Sequence, residues 1–148
     1  MIFYCRVPFS FVTSGKITFP IYHDEYISNS VKAFIGKDPA NVNLQDLLET
    51  VHPEETGILG LKSKVNSDFY TSFVEKKEVL NYKNMFSYRM KESGNRVRTM
   101  LYQAFPLSVL ENGSPEHVFC INTDVSHLKV SSNNSVSFVH MYGGRSYY

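Results

Sequence analysis

The sequence predicts an α+β domain in which short helices pack on one face of an antiparallel sheet of about five strands. Three observations predict it. Between about residues 28 and 73, apolar residues recur every three or four positions, which is typical of helices. From residue 82 the pattern changes to strict alternation, which is typical of strands. Turn-forming dipeptides separate the alternating segments, so consecutive strands are expected to pair as hairpins.

Length and composition favour a single globular domain with a sizeable core. The chain has 148 residues, of which 43% are hydrophobic and 20% charged, and these values exclude wholesale disorder. Fifteen Lys and Arg against fourteen Asp and Glu leave a net charge of +1, so direct nucleic-acid binding is not expected. There is no apolar run long enough for a membrane span, and no membrane partner is expected. The two cysteines, Cys5 and Cys120, form no disulfide framework, so a cytoplasmic location is expected.

The amino-terminal part has the least defined pattern. Residues 1–12 are apolar and compatible with a strand, but residues 1–16 as a whole are not assigned to an element. Gly15 separates them from a predicted strand over residues 17–23. Asp24-Glu25 is expected to form a turn, and Tyr26-Ile27 a short second strand.

Three helices are predicted next. Ser28 is expected to cap a short helix that ends at Gly36, and Asn43 to cap the second. The second helix has a buried stripe at helical spacing: Leu44, Leu47, Leu48 and Val51. Pro53 ends that helix and suits the first turn of a third, with His52 as a cap. The predicted buried face of the third helix is Ile58, Leu61, Val65, Phe69 and Phe73.

Alternation then defines three strands joined as a meander. On the first strand, one face is expected to hold Tyr82, Asn84, Phe86, Tyr88 and Met90. Ser93-Gly94-Asn95 is a predicted hairpin turn, and a long strand over residues 97–110 follows, in which Pro106 implies an edge position or a bulge. Asn112-Gly113 is the strongest hairpin signal and precedes a last strand over residues 117–125. Residues 136–140 are also strand-like.

Several motifs in this order resemble PAS sensor domains. Tyr26-Ile27-Ser28-Asn29-Ser30-Val31 is similar to the opening of such a domain, and Phe34-Ile35-Gly36 continues it. Val51-His52-Pro53-Glu54-Glu55 resembles the motif that begins its long helix, with Glu55 where Asp is usual. Tyr88-Arg89-Met90-Lys91 and Asn122-Thr123-Asp124-Val125-Ser126-His127-Leu128-Lys129 resemble its closing strands. The resemblance covers about residues 17–129.

The tail extends the resemblance. Val136-Ser137-Phe138-Val139-His140, followed by Gly143-Gly144-Arg145-Ser146-Tyr147-Tyr148, is similar to the connector after the PAS domain of LuxR-type transcriptional regulators. This implies a sensory domain over residues 1–130 and a connector over residues 131–148, leading to a helix-turn-helix domain absent from this chain. DNA would be contacted only through that domain. A sensor histidine kinase and a module that acts only by dimerisation are the alternatives, and a homodimer is expected.

The candidate ligand site is a cavity between the sheet and the helices. Its expected lining is apolar and aromatic: Leu47, Leu48, Val51, Phe69, Phe73, Phe86, Tyr88, Tyr102, Phe105 and Phe119. Side chains of this kind more often simply fill the core than line a ligand site. Strand alternation also leaves open which face is inward, since Leu101 and Phe105 point opposite to Met100 and Tyr102.

No motif indicates catalysis or a cofactor. The five histidines lack metal-ligand spacing, and the third helix offers no axial ligand for haem. Cys120 lies in a strand and outside any flavin-binding motif, so haem, flavin and metal are not expected. No nucleophile elbow or phosphate-binding loop occurs, and we expect no enzymatic activity. The enzymatic alternative, an isomerase with a buried acid–base pair, requires a carboxyl group with a raised pKa; Asp124 is instead expected to bond backbone.

Overall fold

Six antiparallel strands form one sheet in the computed structural model, which describes residues 2–6, 11–14, 17–20, 23–73, 75–92 and 95–148. The strands of this sheet are β1 (Ile2–Arg6), β4 (His23–Ile27), β5 (Tyr82–Lys91), β6 (Val97–Val109), β7 (Pro115–Asp124) and β8 (Ser137–His140). Their order across the sheet is β4-β1-β7-β6-β5-β8. Two further strands, β2 (Phe11–Ser14) and β3 (Ile17–Pro20), pair with each other in a separate two-stranded sheet.

Short helices cover one face of the six-stranded sheet. The α-helices are α1 (Val31–Ile35), α2 (Leu44–Glu49) and α3 (Thr56–Thr71). Short 3-10 helices span Pro39–Asn41, Pro53–Glu55, Lys76–Asn81 and Ser126–Leu128. Within the described ranges, no helix has the length and apolar character needed to cross a bilayer. The architecture confirms the predicted α+β fold, an antiparallel sheet with short helices on one face, and the sheet has six strands where about five were predicted.

Among the side chains that the structure describes, three buried clusters lie between helices and sheet. The α1 cluster consists of Val31, Ala104, Val118 and Cys120. The central cluster consists of Val51, Phe86, Tyr88, Met90 and Met100. The C-terminal cluster consists of Tyr70, Val79, Tyr82 and Phe138. Because each cluster joins at least two elements distant in sequence, together they hold the helices on the sheet.

The amino-terminal prediction needs two corrections. The unassigned segment contains β1, which lies inside the sheet between β4 and β7 and pairs Phe3 with Cys120. Asp24-Glu25 is part of β4 and not a turn, because β4 pairs with β1 through both Tyr26 and His23. The predicted strand over residues 17–23 is divided between β3 and the start of β4. Gly15, the predicted break, lies outside the described residues.

Capping explains where the helices begin and end. The side chain of Asn43 accepts from the Asp46 amide at 3.0 Å, and the Asp46 carboxylate accepts from the Asn43 amide at 3.0 Å, a capping box for α2. Gly36 ends α1 at φ 78°, as predicted. Ser30, and not Ser28, precedes α1. The second helix ends at Glu49 and not at Val51, because the chain at Val51 turns to bridge Met90 at the edge of the sheet.

The predicted meander is present, with its turns set by local chemistry. Gly113 has φ 88°, its amide donates to the Leu110 carbonyl at 2.9 Å, and the Asn112 side chain accepts from the Ser114 amide at 3.0 Å. Pro106 lies at a register shift between β6 and β7, so of the two predicted settings the bulge is the observed one. The predicted turn residues Ser93 and Gly94 lie outside the described residues.

The predicted connector packs against the domain. Residues 137–140 form β8, which extends the sheet by pairing with the first part of β5. Beyond β8 the chain turns back, and Phe138 and Tyr147 exchange two backbone hydrogen bonds of 2.8 and 2.9 Å. The Met141 amide donates to the Asn81 carbonyl at 2.8 Å. The strand at one end of the sheet is therefore supplied by this carboxyl-terminal part.

Candidate functional site

The register of β5, β6 and β7 settles which side chains face the helices. Along β5 the even-numbered residues from Tyr82 to Met90 are buried. Phe86 pairs with Tyr102, so Tyr102 and Met100 share that inner face and Leu101 and Phe105 point away from it. Two predicted lining residues are therefore misplaced: Phe105 and its cross-strand neighbour Phe119 lie on the outer face, with ring centroids 6.3 Å apart. They cannot line a space between sheet and helices, because strand alternation turns them outward.

The structure distributes the other predicted lining residues, apart from Leu48, over the three clusters. Leu47 packs on the α1 cluster, and Phe69 and Phe73 pack on the C-terminal cluster. Val51, Phe86 and Tyr88 belong to the central cluster. Tyr102 contacts both the α1 and the central clusters and stacks on Phe86 at 4.6 Å between ring centroids. Leu48 is half-buried and joins none of the three clusters of described residues.

Helix α3 turns a polar stripe toward the sheet, which corrects the predicted apolar one. Leu61 and Val65 are 66% and 46% exposed. The face that packs on the sheet instead carries side chains spaced by three or four residues: Glu55, Leu59, Lys62, Asn66 and Tyr70. A helix rarely buries this many polar groups, and each needs a partner inside the fold.

Two tyrosines reach asparagines inside the fold. The Tyr70 hydroxyl donates to Asn84 Oδ1 at 3.0 Å, and the Tyr88 hydroxyl donates to Asn122 Oδ1 at 2.9 Å. Burial raises the pKa of Tyr70 and of Tyr88, so both remain neutral hydrogen-bond donors. Asn84 and Asn122 are 3% and 2% exposed and were not among the predicted site residues. The signal for Asn84 was its alternation in phase with Phe86 and Tyr88.

Two buried polar atoms in this region have no hydrogen-bond partner among the described residues: Asn84 Nδ2 and Asn66 Oδ1. Asn66 lies one helical turn before Tyr70 on α3, and the Tyr70 hydroxyl bonds Asn84 on β5. We call Asn66, Tyr70 and Asn84 the interior polar site. It offers an amide donor from the sheet and a carbonyl acceptor from the helix.

Two charged side chains, Glu55 just before α3 and Lys62 within it, precede the interior polar site along the helix. Lys62 is 3% exposed, and its ammonium donates to the Ser87 carbonyl at 2.8 Å and the Asn133 carbonyl at 2.6 Å. Burial lowers the pKa of Lys62, against the opposing effect of Glu55. Glu55 is 6% exposed and accepts from the Arg89 amide at 2.8 Å and from Arg89 Nε at 2.6 Å. Burial acts to raise the pKa of Glu55, but its hydrogen bonds from Ser132 and Arg89 prevail and lower it.

Three further carboxyl groups have pKa shifts in the direction opposite to the one that the enzymatic alternative requires. The hydrogen bond from Lys37 lowers the pKa of Asp46, and that from Arg89 lowers the pKa of Glu54. Burial acts to raise the pKa of Asp124, but hydrogen bonds from Ser126 and Arg98 bring it to about 2. Asp124 accepts from the Ser126 amide at 2.9 Å, which is the predicted backbone bond. A buried general acid would need the opposite shift.

Histidines serve local structure at two positions. His52 Nδ1 accepts from the Glu54 amide at 3.4 Å, the predicted capping role. His140 Nδ1 accepts from the Tyr142 amide at 3.1 Å and the Gly144 amide at 3.0 Å. Across the described ranges, no three His, Cys, Asp or Glu side chains are grouped so as to hold a metal ion. The expectations about haem and flavin stay predictions.

Comparisons with known proteins give similarity to solved structures. No protein-family model matches the chain, and no curated protein sequence matches it. One similar structure is the N-terminal domain of a diguanylate cyclase with a PAS/PAC sensor from Marinobacter aquaeolei: 13% identity, TM-score 0.49, covering 88% of this chain and 100% of that one. Another is an RNA-binding light-oxygen-voltage receptor: 12% identity, TM-score 0.47, covering 90% of this chain. The match spans 31% of the receptor chain.

Proposed function

We propose that the chain is a PAS-type signal-input domain that binds a small ligand at the interior polar site. The observation that carries the proposal is the buried amide nitrogen of Asn84, which has no hydrogen-bond partner among the described residues. Leaving a buried donor unpaired costs about 1–3 kcal/mol. A ligand with an acceptor at this point would remove that cost, and so couple its binding to the position of the surrounding elements.

The contacts of the site favour a small neutral ligand. The Tyr70 hydroxyl occupies Asn84 Oδ1, which leaves the amide protons of Asn84 to face a carbonyl or ring nitrogen of the ligand. Asn66 Oδ1 would accept from an N–H or O–H group of the same molecule. The ammonium of Lys62 is held by two backbone carbonyls, so the donor and acceptor without partners that the site itself offers are neutral amide groups. The stacked rings of Phe86 and Tyr102 lie on the same face of the sheet.

The ligand state is proposed to reach an output domain through the carboxyl-terminal part. The resemblance of residues 136–148 to the connector of LuxR-type regulators supports a helix-turn-helix output that binds DNA and regulates transcription. A sensor histidine kinase is the alternative output. The residues encoded after Tyr148 discriminate the two, since a helix-turn-helix supports the first and a phosphoacceptor helix supports the second.

Native mass spectrometry tests the ligand proposal. The wild-type chain, purified from its source, is expected to carry a small molecule that the double variant Tyr70→Phe/Asn84→Leu lacks. The double variant removes donor and acceptor together, which keeps the cost to folding small. Asn134→Leu, at an exposed asparagine, is the matched control and should keep the molecule. An unliganded mass for the wild type, or equal retention in the double variant, would refute the proposal.

A second candidate function is dimerisation through the outer face of the sheet. Apolar side chains there are half-buried: Met85, Leu101, Phe105 and Phe119. The packing of the predicted lining residues into three clusters also favours a filled core over a cavity. Sedimentation equilibrium of the wild type and of Leu101→Asp separates the two cases. A dimer that Leu101→Asp dissociates, together with a ligand-free mass, would assign the domain to this second function.

A further inference from the structure

Helix α3 holds the carboxyl-terminal part of the chain along one line of its surface. We define the C-terminal segment as residues 132–148. Ser132 donates its hydroxyl to Glu55, Lys62 donates to the Asn133 carbonyl, and Phe69 stacks on Phe138 with ring centroids 3.7 Å apart. Glu55, Lys62 and Phe69 are spaced by seven residues, about two turns, and so lie along one side of the helix.

The neighbouring line of α3 faces the interior polar site. Asn66 and Tyr70 follow Lys62 at intervals of four residues, and Tyr70 bonds Asn84 on β5. The same rigid helix therefore contacts the interior polar site with one line of side chains and the C-terminal segment with the adjacent one. A shift of α3 at the interior polar site must also change its contacts with the C-terminal segment, since a continuous helix moves as a unit.

Lys62 is the point where helix, sheet and C-terminal segment meet. Its ammonium joins the Ser87 carbonyl of β5 to the Asn133 carbonyl. The Asn133 amide in turn donates to the Ser87 hydroxyl at 3.1 Å. The ammonium also lies 5.2 Å from the centroid of the Phe86 ring, a cation–π contact. A cation this deeply buried stays in place only while its partners do, because an unpaired buried charge is strongly unfavourable.

We propose that Lys62 is the link by which movement of α3 releases the C-terminal segment from the domain. When α3 moves away from the sheet, the ammonium withdraws from the Asn133 carbonyl, and residues 132–136 lose one of two hydrogen-bonded links to β5, the other being the bond from the Asn133 amide to the Ser87 hydroxyl. The pairing of β8 with β5 and the contact of Phe138 with Phe69 then weaken. The inference rests on the proposed function in one respect only: a ligand at the interior polar site is what moves α3.

Amide hydrogen exchange on the full chain tests the link without any ligand. In Lys62→Met, exchange at Asn133, Phe138 and Met141 is expected to rise about tenfold, the effect of losing a hydrogen bond to a charged group. Amides in the middle of β6 and β7 should keep their wild-type rates. Lys64→Met is the matched control, since Lys64 is exposed on the same helix and pairs only with Asp68 among the described carboxylates. It should change none of these amides.

Two results would overturn the link. One is an unchanged exchange rate at all three segment amides in Lys62→Met; the other is an equal rise across β6 and β7, which would mean general destabilisation. If Lys62→Met does not fold, Lys62→Gln provides the test, because its side chain stays polar but lacks the charge and the reach with which the ammonium binds the Ser87 and Asn133 carbonyls. Segment amides that exchange at wild-type rates in Lys62→Gln would also count against the link. A chain that binds no ligand yet shows the Lys62 effect would refute the proposed function alone.

Discussion

Glu55 anchors the start of α3 to β5, and replacing it with glutamine removes that anchor without changing the volume of the side chain. One carboxylate oxygen accepts from the Arg89 amide, and the other accepts from Arg89 Nε and from the Ser132 hydroxyl. Glutamine has a single acceptor oxygen, so it can serve only one of these two positions. At the other position its NH₂ group faces a donor.

The loss in free energy of unfolding on Glu55→Gln follows from these contacts. If the oxygen of the substituted glutamine keeps the guanidinium and the hydroxyl, the Arg89 amide is left unpaired at a partly buried position, which costs about 1–3 kcal/mol. The bonds that remain lose the strengthening of a charged acceptor, about 1 kcal/mol more. We expect Glu55→Gln to lower the free energy of unfolding at pH 7 by about 3 kcal/mol, a substantial part of the stability of a small domain.

The effect should depend on pH in a defined direction. The pKa of Glu55 is lowered in the folded state from its ordinary value of 4.5. The ionised carboxylate therefore makes its full contribution to the free energy of unfolding at pH values above 4.5. It is lost as the pH falls through the lowered folded pKa, because protonation removes the charge on which the bonds depend. The difference in stability between wild type and Glu55→Gln should therefore shrink below about pH 4.

Urea unfolding of wild type, Glu55→Gln and Glu54→Gln at pH 7 and at pH 3 measures these quantities. Glu54 is the matched control: it is adjacent, its side chain is 72% exposed, and it contacts the same Arg89 at 2.9 Å. Its substitution should cost no more than about 1 kcal/mol, the usual value for an exposed ion pair. If Glu54→Gln proves as costly as Glu55→Gln, or if the cost of Glu55→Gln stays constant with pH, the reasoning is wrong.

Two further predictions concern the closing strands. Asp124→Asn should lower the free energy of unfolding by about 1–2 kcal/mol at pH 7, because it weakens the bonds from Ser126 and Arg98. Since the folded pKa of Asp124 is lowered to about 2, the urea-unfolding difference should decrease as the pH falls from 4 toward 2; an undiminished difference at pH 2 would contradict the assignment. Gly113→Ala should lower the melting temperature, because Gly113 has φ 88° and an added Cβ would lie 2.6 Å from Lys76 Cδ. Gly57→Ala should not lower the melting temperature, because no atom of the described residues outside the local backbone lies within 4 Å of the added Cβ.

Local signals in the sequence were sufficient for the elements whose stabilising contacts are also local. The capping box of Asn43 and Asp46 closes within four residues, and the Asn112-Gly113 turn within five. The meander of β5, β6 and β7 follows from alternation and short turns. Each of these features can be predicted because the interacting groups are neighbours in the chain.

The features that were missed depend on contacts between distant residues. β1 pairs with β7 across more than 110 positions, which no periodicity over residues 1–12 indicates. The inward face of α3 is decided by partners such as the Asn133 carbonyl, 71 positions from Lys62. An apolar stripe through Leu61 and Val65 was the local expectation for that helix. Hydrogen-bonded partners elsewhere in the chain made it favourable to bury Lys62 and Tyr70 instead.

The sequence predicted only in part which side chains face the helices. Alternation correctly placed Phe86 and Tyr88 on one face of β5, and the register placed Tyr102 with them. The inward face of β6 could not be chosen from the sequence, since both of its faces carry apolar side chains, and Phe105 was assigned to the wrong one. Asn84 was overlooked as a site residue because a polar residue on a buried face gains meaning only from its partners.

An electron-density map of the purified protein at atomic resolution would test the interior polar site most directly. We predict density for a bound small molecule within hydrogen-bond distance of Asn84 Nδ2, with Tyr70 still donating to Asn84 Oδ1. Protein side chains packed against that nitrogen, or a single ordered water satisfying it, would contradict the account of this chain as a ligand-binding signal-input domain.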